Sequence, residues 1–588
     1  MKRRKERDDD FGSFDRADAH EPGDYTVQSG GTRLGEILVD LRMVHPQQIV
    51  AVLTEHESGT HKPLGQRLVE RGIVSEFDIA RAVAHRFSLE LVDLGTITPD
   101  PTATKLLDEA TARRMVALPL YAAHDRVVVA MAVPSERSLA ALQQAIGRPV
   151  LVRVAAHSDI LAAIANSYRA LTGVTSQIRA FEAERAKRSS ADSKAEVSSV
   201  AEDAPVVQVF QQILTQALRD RASDIHIEPQ TERVRVRYRI DGALHDVLDL
   251  PPSMGPAISS RIKILANMNI VERRRAQDGQ ISMEIDGRSV DIRVATSGVI
   301  EGEIVVLRLL DKSRSLYRLE QLGMPDNMIA SYANVLRSPF GMVICAGPTG
   351  SGKTTTLYGS LGAINSPERN VMTIEDPVEY RIQSINQIQI NEQAGITFAS
   401  GLRSILRLDP DVILVGEIRD AETARIAVQS ALTGHIVLSS LHATDAPAAL
   451  HRLLDMGIES FLVASSVSAV MAQRLVRRIC THCVGPYEPT RDEIEFLRSV
   501  HARPPTAGFV RGYGCNFCAQ TGYRERIGVY ELMFVTDAIR GLVVDRATHE
   551  DIRKLARSEG MRTLGEEAVR LVESGVTTLA EVIRSIYV

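Results

Sequence analysis

Periodic apolar positions begin at Leu34. The stretch Leu34-Gly35-Glu36-Ile37-Leu38-Val39-Asp40-Leu41-Arg42-Met43-Val44 is matched at an offset of 30 by Leu64-Gly65-Gln66-Arg67-Leu68-Val69-Glu70-Arg71-Gly72-Ile73-Val74. Each copy passes through a polar step into a second helical pattern, with Ile49, Val52 and Leu53 in the first and Ile79, Ala82 and Val83 in the second. Apolar side chains three and four positions apart share one helix face, so the pattern predicts two helical hairpins of one design. Arg126 to Val133 is an apolar run of strand length, and residues 31 to about 172 read as one small α/β domain. Residues 1 to about 30 are rich in charge and glycine and predict a disordered tail. Residues 173 to about 200 are rich in serine and charge and predict a partly helical linker.

From residue 201 to about 312 the period changes. Val206 to Leu218 suits an amphipathic helix, whereas Arg233-Val-Arg-Val-Arg-Tyr-Arg-Ile240 alternates strictly, as a half-buried strand does. Asp241-Gly242 marks a tight turn after it. Ser289 to Val294 and Ile304 to Leu310 repeat the strand pattern, and arginine occupies the alternating face of all three. That face is either a solvated sheet surface or a basic surface turned toward a nucleotide on a neighbouring domain.

Residues 313 to 588 alternate apolar strands with helices and end in a helical tail. The apolar run Met342 to Ala346 leads into Gly347-Pro348-Thr349-Gly350-Ser351-Gly352-Lys353-Thr354, and Thr355-Thr356-Leu357-Tyr358 can open a helix. Strand, G-x-x-x-x-G-K-[ST] loop and helix together make a phosphate-binding P-loop. The glycines let backbone N–H groups turn toward an anion, and the helix N-terminus adds positive partial charge. Lys353 is placed to reach the β and γ phosphates of ATP, and the Thr354 hydroxyl to ligate Mg²⁺.

Three further segments carry matching chemistry. Val371-Met-Thr-Ile-Glu375-Asp376-Pro377 ends an apolar strand in acids, where α/β sheets bind ligands. In Asp411-Val-Ile-Leu-Val-Gly416-Glu417 a short apolar strand ends in an acid suited to Mg²⁺, a Walker-B-like arrangement. Ile436 to Leu441 runs into His442, Thr444 and Asp445, polar groups placed to sense a γ-phosphate.

Four of the five cysteines form Cys480-x-x-Cys483 and Cys515-x-x-Cys518. Two such pairs predict a tetrahedral Zn²⁺ site, closed and therefore structural. Cys345, on the strand before the P-loop, is expected to be plain core.

Length and composition bound the rest. At 588 residues the chain has room for about three or four domains. Its net charge of −5 provides no global basic field for nucleic acid. No apolar run approaches the ~18 residues of a membrane span, and the charged start lacks the apolar core of a secretory signal. A cytoplasmic location is expected, peripheral to the inner membrane through partners.

At this point the chain closely resembles the secretion and pilus-assembly ATPases, the extension motors of type II secretion and type IV pili. The resemblance covers residues 31 to 588 and rests on GPTGSGKTTT, TIEDPVEY, LDPDVILVGEIRD, TGHIVLSSLHATDA and Arg474-Leu-Val-Arg-Arg-Ile-Cys480. It implies a RecA-like P-loop domain at 313–588 and a PAS-like α+β domain at 201–312. A small helical/α+β regulatory or partner domain precedes them at 31–172, and the zinc-binding insert spans about 478–525. It makes Glu375 the general base, Glu417 the Mg²⁺-linked acid and His442 the His-box residue. It also brings Arg293 and Arg308 of the preceding domain to the γ-phosphate, a placement worth about 10³ to 10⁵ in rate when met. Two positions depart from the family pattern, Leu408 for a polar residue and Thr444 for a frequent asparagine, and neither removes a catalytic group.

The repeat resembles the module that opens many such ATPases, which binds cyclic di-GMP or a membrane-protein partner. Copy one keeps Arg33-Leu34-Gly35 but has Arg42 at the turn; copy two keeps Gly72 but has Lys62-Pro63 in place of the arginine. Lysine cannot copy the planar fork of arginine, so docking on an inner-membrane platform protein or its cytoplasmic adaptor stands beside cyclic di-GMP. The leading expectation is a homo-hexameric ATPase that powers assembly of a pilus or pseudopilus without binding nucleic acid directly. The alternatives are a DNA-uptake pilus ATPase, a nucleic-acid-linked RecA-like motor and a non-hydrolysing scaffold.

Overall fold

The computed structural model describes residues 34–54, 63–123, 125–168, 171, 174–189, 205–311, 318–500 and 508–587. The expected tail at 1–30, Arg33 and Lys62, and the linker beyond Ser189 lie outside the described residues. The rest falls into two compact units divided after Tyr168.

The first unit begins with the helices Leu34–Asp40, Pro46–Thr54, Leu64–Glu70 and Glu76–Phe87. Its repeat is visible in the packing. A Cβ on Gly35 would touch Ile49 and Leu64, and one on Gly65 would touch Ile79 and Leu34, so the copies meet each other with equivalent surfaces. Ile37, Leu38, Val44, Val52, Leu68, Val74 and Ala82 form the core between them. At the turn, Gly72 has φ 65° and its counterpart Arg42 has φ 55°. A non-glycine residue there gives up about 1–2 kcal/mol. A three-stranded sheet follows, with β1 (Ala117–Ala123) antiparallel to β2 (Arg126–Met131) and β2 parallel to β3 (Val150–Val154).

The second unit contains two large sheets. The first is antiparallel, in the order β6-β5-β4-β9-β8-β7, built from β4 (Asp224–Pro229), β5 (Val234–Ile240), β6 (Ala243–Leu250), β7 (Gln277–Ile285), β8 (Arg288–Val299) and β9 (Gly302–Asp311). Alternation along β5 buries Val234, Val236 and Tyr238 and turns its arginines to the other face. The helix Pro205–Arg219 covers the apolar face with Val209, Phe210, Ile213, Leu214 and Ala217. Val209, Phe210, Ile213 and Leu214 each contribute about 1.5–3 kcal/mol by burial, and the buried Tyr238 hydroxyl donates to Ile213 O at 2.7 Å. The helix Val174–Ser189, inside the expected linker, packs Val174 against the same core.

The second sheet has the order β12-β11-β13-β14-β10-β15-β18. Its strands are β10 (Gly341–Ala346), β11 (Val371–Glu375), β12 (Asn386–Gln389), β13 (Val412–Val415), β14 (Ile436–Leu441), β15 (Val467–Ile479) and β18 (Tyr523–Phe534). All neighbours are parallel except β15 and β18. Helices cover both faces, which is why β10, β11, β13 and β14 are buried at every position; β10 and β13 read as unbroken apolar runs, whereas β11 buries Thr373 and Glu375 and β14 buries Ser439 and Ser440. Between β15 and β18 lies the cysteine-bearing insert, with its own pair β16 (Val484–Tyr487) and β17 (Phe509–Gly512). Helices from Asp537 to Ile586 close the chain.

Candidate functional site: a P-loop and three polar strand ends

Because β10, β11, β13 and β14 are parallel neighbours, their C-terminal ends lie on one edge of the sheet. Residues that are far apart in sequence therefore converge there. The P-loop Gly347–Thr355 follows β10, Glu375 ends β11, Glu417 stands two residues beyond β13, and His442 follows β14. Gly416 allows the close approach, since a Cβ there would lie 3.3 Å from Glu375 Cα and Ile374 O.

The loop has the form of an anion cradle. Gly352 (φ 89°) caps the helix Lys353–Ile364, and a Cβ on Gly347 would fall 2.5 Å from Ser351 Oγ and 2.7 Å from Gln473 O. Ser351 Oγ is buried and has no hydrogen-bond partner among the described residues. Pro348, Thr349, Gly350 and Thr355 are exposed, while Thr354 is half-buried beside Lys353. Lys353 Nζ donates to Gly347 O at 2.8 Å and Pro348 O at 3.1 Å. Burial lowers its pKa, and Glu417 works against that effect. A phosphate chain laid on the loop would take over these donors, and the Thr354 hydroxyl and Glu417 are the groups suited to Mg²⁺.

Glu417 sits at the mouth of this cradle. Arg419 forms an ion pair with it and reaches Asp376 at 3.4 Å, and His442 Nε2 lies 3.7 Å from Glu417 Oε2. Asp420 and Asp445, from the same two motifs, instead cap helices, accepting from Thr423 N at 2.8 Å and Ala448 N at 2.9 Å. Glu375 differs from Glu417 in being 3% exposed and held by neutral donors rather than by an arginine.

Arg293 and Arg308 face each other across β8 and β9. Like charges opposite one another repel, and acids on two sides offset this. Arg308 Nε donates to Asp224 Oδ1 at 3.0 Å. Burial lowers the pKa of Arg293, Glu379 opposes that, and Arg308 adds to it. Burial also raises the carboxyl of Glu379, against the pull of Arg293. The basic face of the antiparallel sheet is thus partly neutralised from within, by Glu228 against Arg235 and Arg237 and by Asp224 against Arg308. Both site arginines pull on the Glu379 carboxyl, Arg293 more than Arg308.

Sequence reasoning passed over Gln473. It is fully buried, accepts from Cys345 Sγ at 3.0 Å and donates to Ser351 O at 2.7 Å, tying β15 to the P-loop. The signal was present as an amide inside Val470-Met-Ala-Gln473, because buried polar groups demand partners. Cys345 is fully buried, and burial pushes its thiol up to about 12.

The sulfurs of Cys480, Cys483, Cys515 and Cys518 lie within 4.8 Å of one another, with edges of 3.8, 3.9 and 3.7 Å. A tetrahedron with metal–thiolate bonds of about 2.3 Å has edges of about 3.8 Å, so the set fits a four-coordinate metal. Backbone N–H groups of Gly514, Cys515 and Gly522 point at Cys483 or Cys518 sulfur at 3.2–3.3 Å, as a thiolate shell requires.

Residues 199–584 match the sequence family described as type II/IV secretion system protein, more than half of the chain. The chain belongs to that family. Residues 87–174 match the MshEN domain. The type IV pilus assembly ATPase PilB of Myxococcus xanthus is 38% identical, over 94% of this chain and 98% of its own. The type II secretion system protein HxcR of Pseudomonas aeruginosa is 49% identical, over 65% of this chain and 77% of its own. Among solved structures, the pilus retraction motor PilT with bound ADP is 24% identical and covers 64% of this chain and 96% of its own, with a TM-score of 0.45. This member of the type II/IV secretion system family is an ATPase with an α/β fold. Among the described residues no helix is long and apolar enough to cross a membrane.

Proposed function

We propose that the chain is the subunit of a homo-hexameric motor that hydrolyses ATP to drive assembly of a type IV pilus or a type II secretion pseudopilus. One observation carries this reading: four phosphoryl-transfer motifs, distant in sequence, follow four neighbouring parallel strands of one sheet and so share its C-terminal edge. Lys353 binds the β and γ phosphates, Thr354 and Glu417 hold Mg²⁺, Glu375 takes the proton of the attacking water, and His442 lies beside Glu417 to sense the γ-phosphate. Mg²⁺ supplies charge neutralisation on the phosphates. Arg293 and Arg308 meet the γ-phosphate from the antiparallel sheet, of the same or a neighbouring subunit, so that closure of the two sheets accompanies the chemistry. Zinc on the four cysteines folds the insert. The N-terminal unit docks the motor on an inner-membrane platform protein or its cytoplasmic adaptor at the cytoplasmic face, and cyclic di-GMP is the competing ligand for it.

The test is Glu417→Gln. It keeps the size of the side chain and removes the charge that faces the metal. A fluorescent ATP analogue is expected to bind within about threefold of the parent affinity while turnover falls about a hundredfold or more, the scale of a lost electrostatic contact to the transferring group. Parent-level turnover would remove Glu417 from the site. Co-purification of the whole chain with the cytoplasmic part of the platform protein tests the partner, and no retention would exclude it.

A further inference from the structure

The carboxylate of Glu375 is almost fully buried, and both of its oxygens are engaged. Oε1 accepts from Thr373 Oγ1 at 2.5 Å and from Gln387 Nε2 at 3.1 Å. Oε2 accepts from the phenol of Tyr358. A carboxylate oxygen offers about two acceptor sites, so the described partners fill Oε1 and leave Oε2 one place for a water proton. The oxygen free to act is the one Tyr358 holds.

Tyr358 lies on the helix that Lys353 begins, and its ring is 2% exposed. Its oxygen also accepts the backbone N–H of Glu379 at 3.3 Å, and its ring meets Tyr380 edge-on at 6.3 Å. Gln387 closes the network, with Nε2 donating to Tyr380 O at 3.1 Å and Oε1 accepting from Ile382 N at 2.9 Å. One hydroxyl therefore joins the P-loop helix, the Glu375 carboxylate and the segment whose Glu379 faces Arg293. Packing alone does not call for that hydroxyl, because phenylalanine would fill the same space without a polar group to satisfy.

We propose that Tyr358 is a positioning residue for Glu375. It holds Oε2 toward the attacking water and couples that orientation to the P-loop helix. The proposal rests on the reading of Glu375 as the base. In the step it serves, the water oxygen bonds to the γ-phosphorus while its proton passes to Glu375 Oε2. The bond from that phosphorus to the β–γ bridging oxygen breaks, and ADP leaves with the electron pair. Tyr358 keeps its own proton; burial first, and then the Glu375 charge, push its pKa far above the ordinary tyrosine value.

The experiment is a double-mutant cycle in the full-length assembled ATPase, with Tyr358→Phe, Glu375→Gln and the pair, reading kcat, KM and the affinity for a fluorescent ADP analogue. Tyr358→Phe is expected to lower kcat about tenfold or more, the scale of a lost hydrogen bond to a charged group. KM and analogue affinity should stay within about twofold, because the variant leaves the phosphate cradle intact. In the Glu375→Gln background the same substitution should change kcat less than about twofold, because residues that act as a unit do not add. Unchanged kcat in Tyr358→Phe beside a severe loss in Glu375→Gln overturns the role of Tyr358 and leaves the base assigned. Additive losses, lost analogue binding or an unfolded Tyr358→Phe protein assign the hydroxyl to the fold and overturn the proposal. Normal turnover in Glu375→Gln overturns the base reading and this proposal with it.

Discussion

Lys353→Ala is expected to stop ATP hydrolysis while leaving the protein folded. The ammonium is the one flexible cation of the loop, and its present partners are two loop carbonyls, Gly347 O and Pro348 O. Pro348, Thr349 and Gly350 are exposed, so water can replace the ammonium at the loop carbonyls and the stability change should stay within about 0.5 kcal/mol. The melting temperature should therefore move by no more than about 2 °C. Turnover responds differently. The charge that Lys353 places on the β and γ phosphates grows in value as charge develops on the transferring group, and removing one such donor costs about 10² to 10³ in kcat. Alanine also leaves the buried charge of the bound phosphates uncompensated, so ATP affinity should weaken in the same variant. Phosphate release near the parent rate would show that the loop is not where ATP is split. A collapsed melting temperature would show that Lys353 matters to the fold instead.

The parts of this site that were legible in the sequence are those fixed by local rules. The β10 run, the P-loop spacing and the start of the helix after it occupy one continuous segment, so short-range chemistry sets them. Glu417 was readable because β13 is short and wholly apolar, which makes the acid just beyond it conspicuous, and His442 because it is the first ring nitrogen donor after the buried run Ile436–Leu441. The repeat at Leu34 and Leu64 was readable by self-comparison. What escaped depends on pairing across the chain. The strands Ala117–Ala123 and Val150–Val154 flank β2, but the first is an apolar run interrupted by Pro119 and the second is five residues long with one arginine, so neither shows a period. Asp224 meets Arg308 only because β4 and β9 are neighbours in a definite register. The burial of Glu375 arises from donors on a helix, on its own strand and on β12, and an acid at the end of a strand looks the same whether it faces water or three hydrogen-bond donors. Arg42 at a left-handed turn was visible as a mismatch with Gly72, yet its conformation follows from the hairpin and not from its own preference.

Cys515→Ser is expected to empty the metal site and melt the insert ahead of the rest of the chain. The insert has little else to hold it. Its two strands β16 and β17 form a two-stranded pair, which is marginal alone, and its apolar anchors are few, chiefly Leu497, Phe509 and Phe517. A structural zinc site contributes apparent binding energies of about 10 to 16 kcal/mol in small zinc domains, far more than such a core supplies. Serine matches the size of cysteine but offers a poor ligand to a metal held by three thiolates. Parent protein should carry about one zinc per chain and the variant well under half of that, measured by atomic absorption after gel filtration. The effect should reach the sheet only in part. Cys480 follows the end of β15 and Cys518 precedes β18, so losing the metal frays their antiparallel pairing at Ile479 and Tyr523. Gln473, which holds the P-loop, lies further along β15, and Arg477 in between is pinned to Glu581 at 2.7 Å. Limited proteolysis should therefore cut first between Val484 and Gly512 while a fluorescent ADP analogue still binds. Unchanged zinc content together with an unchanged melting profile would refute the metal reading, and early loss of nucleotide binding would refute the claim that the disturbance stops short of Gln473.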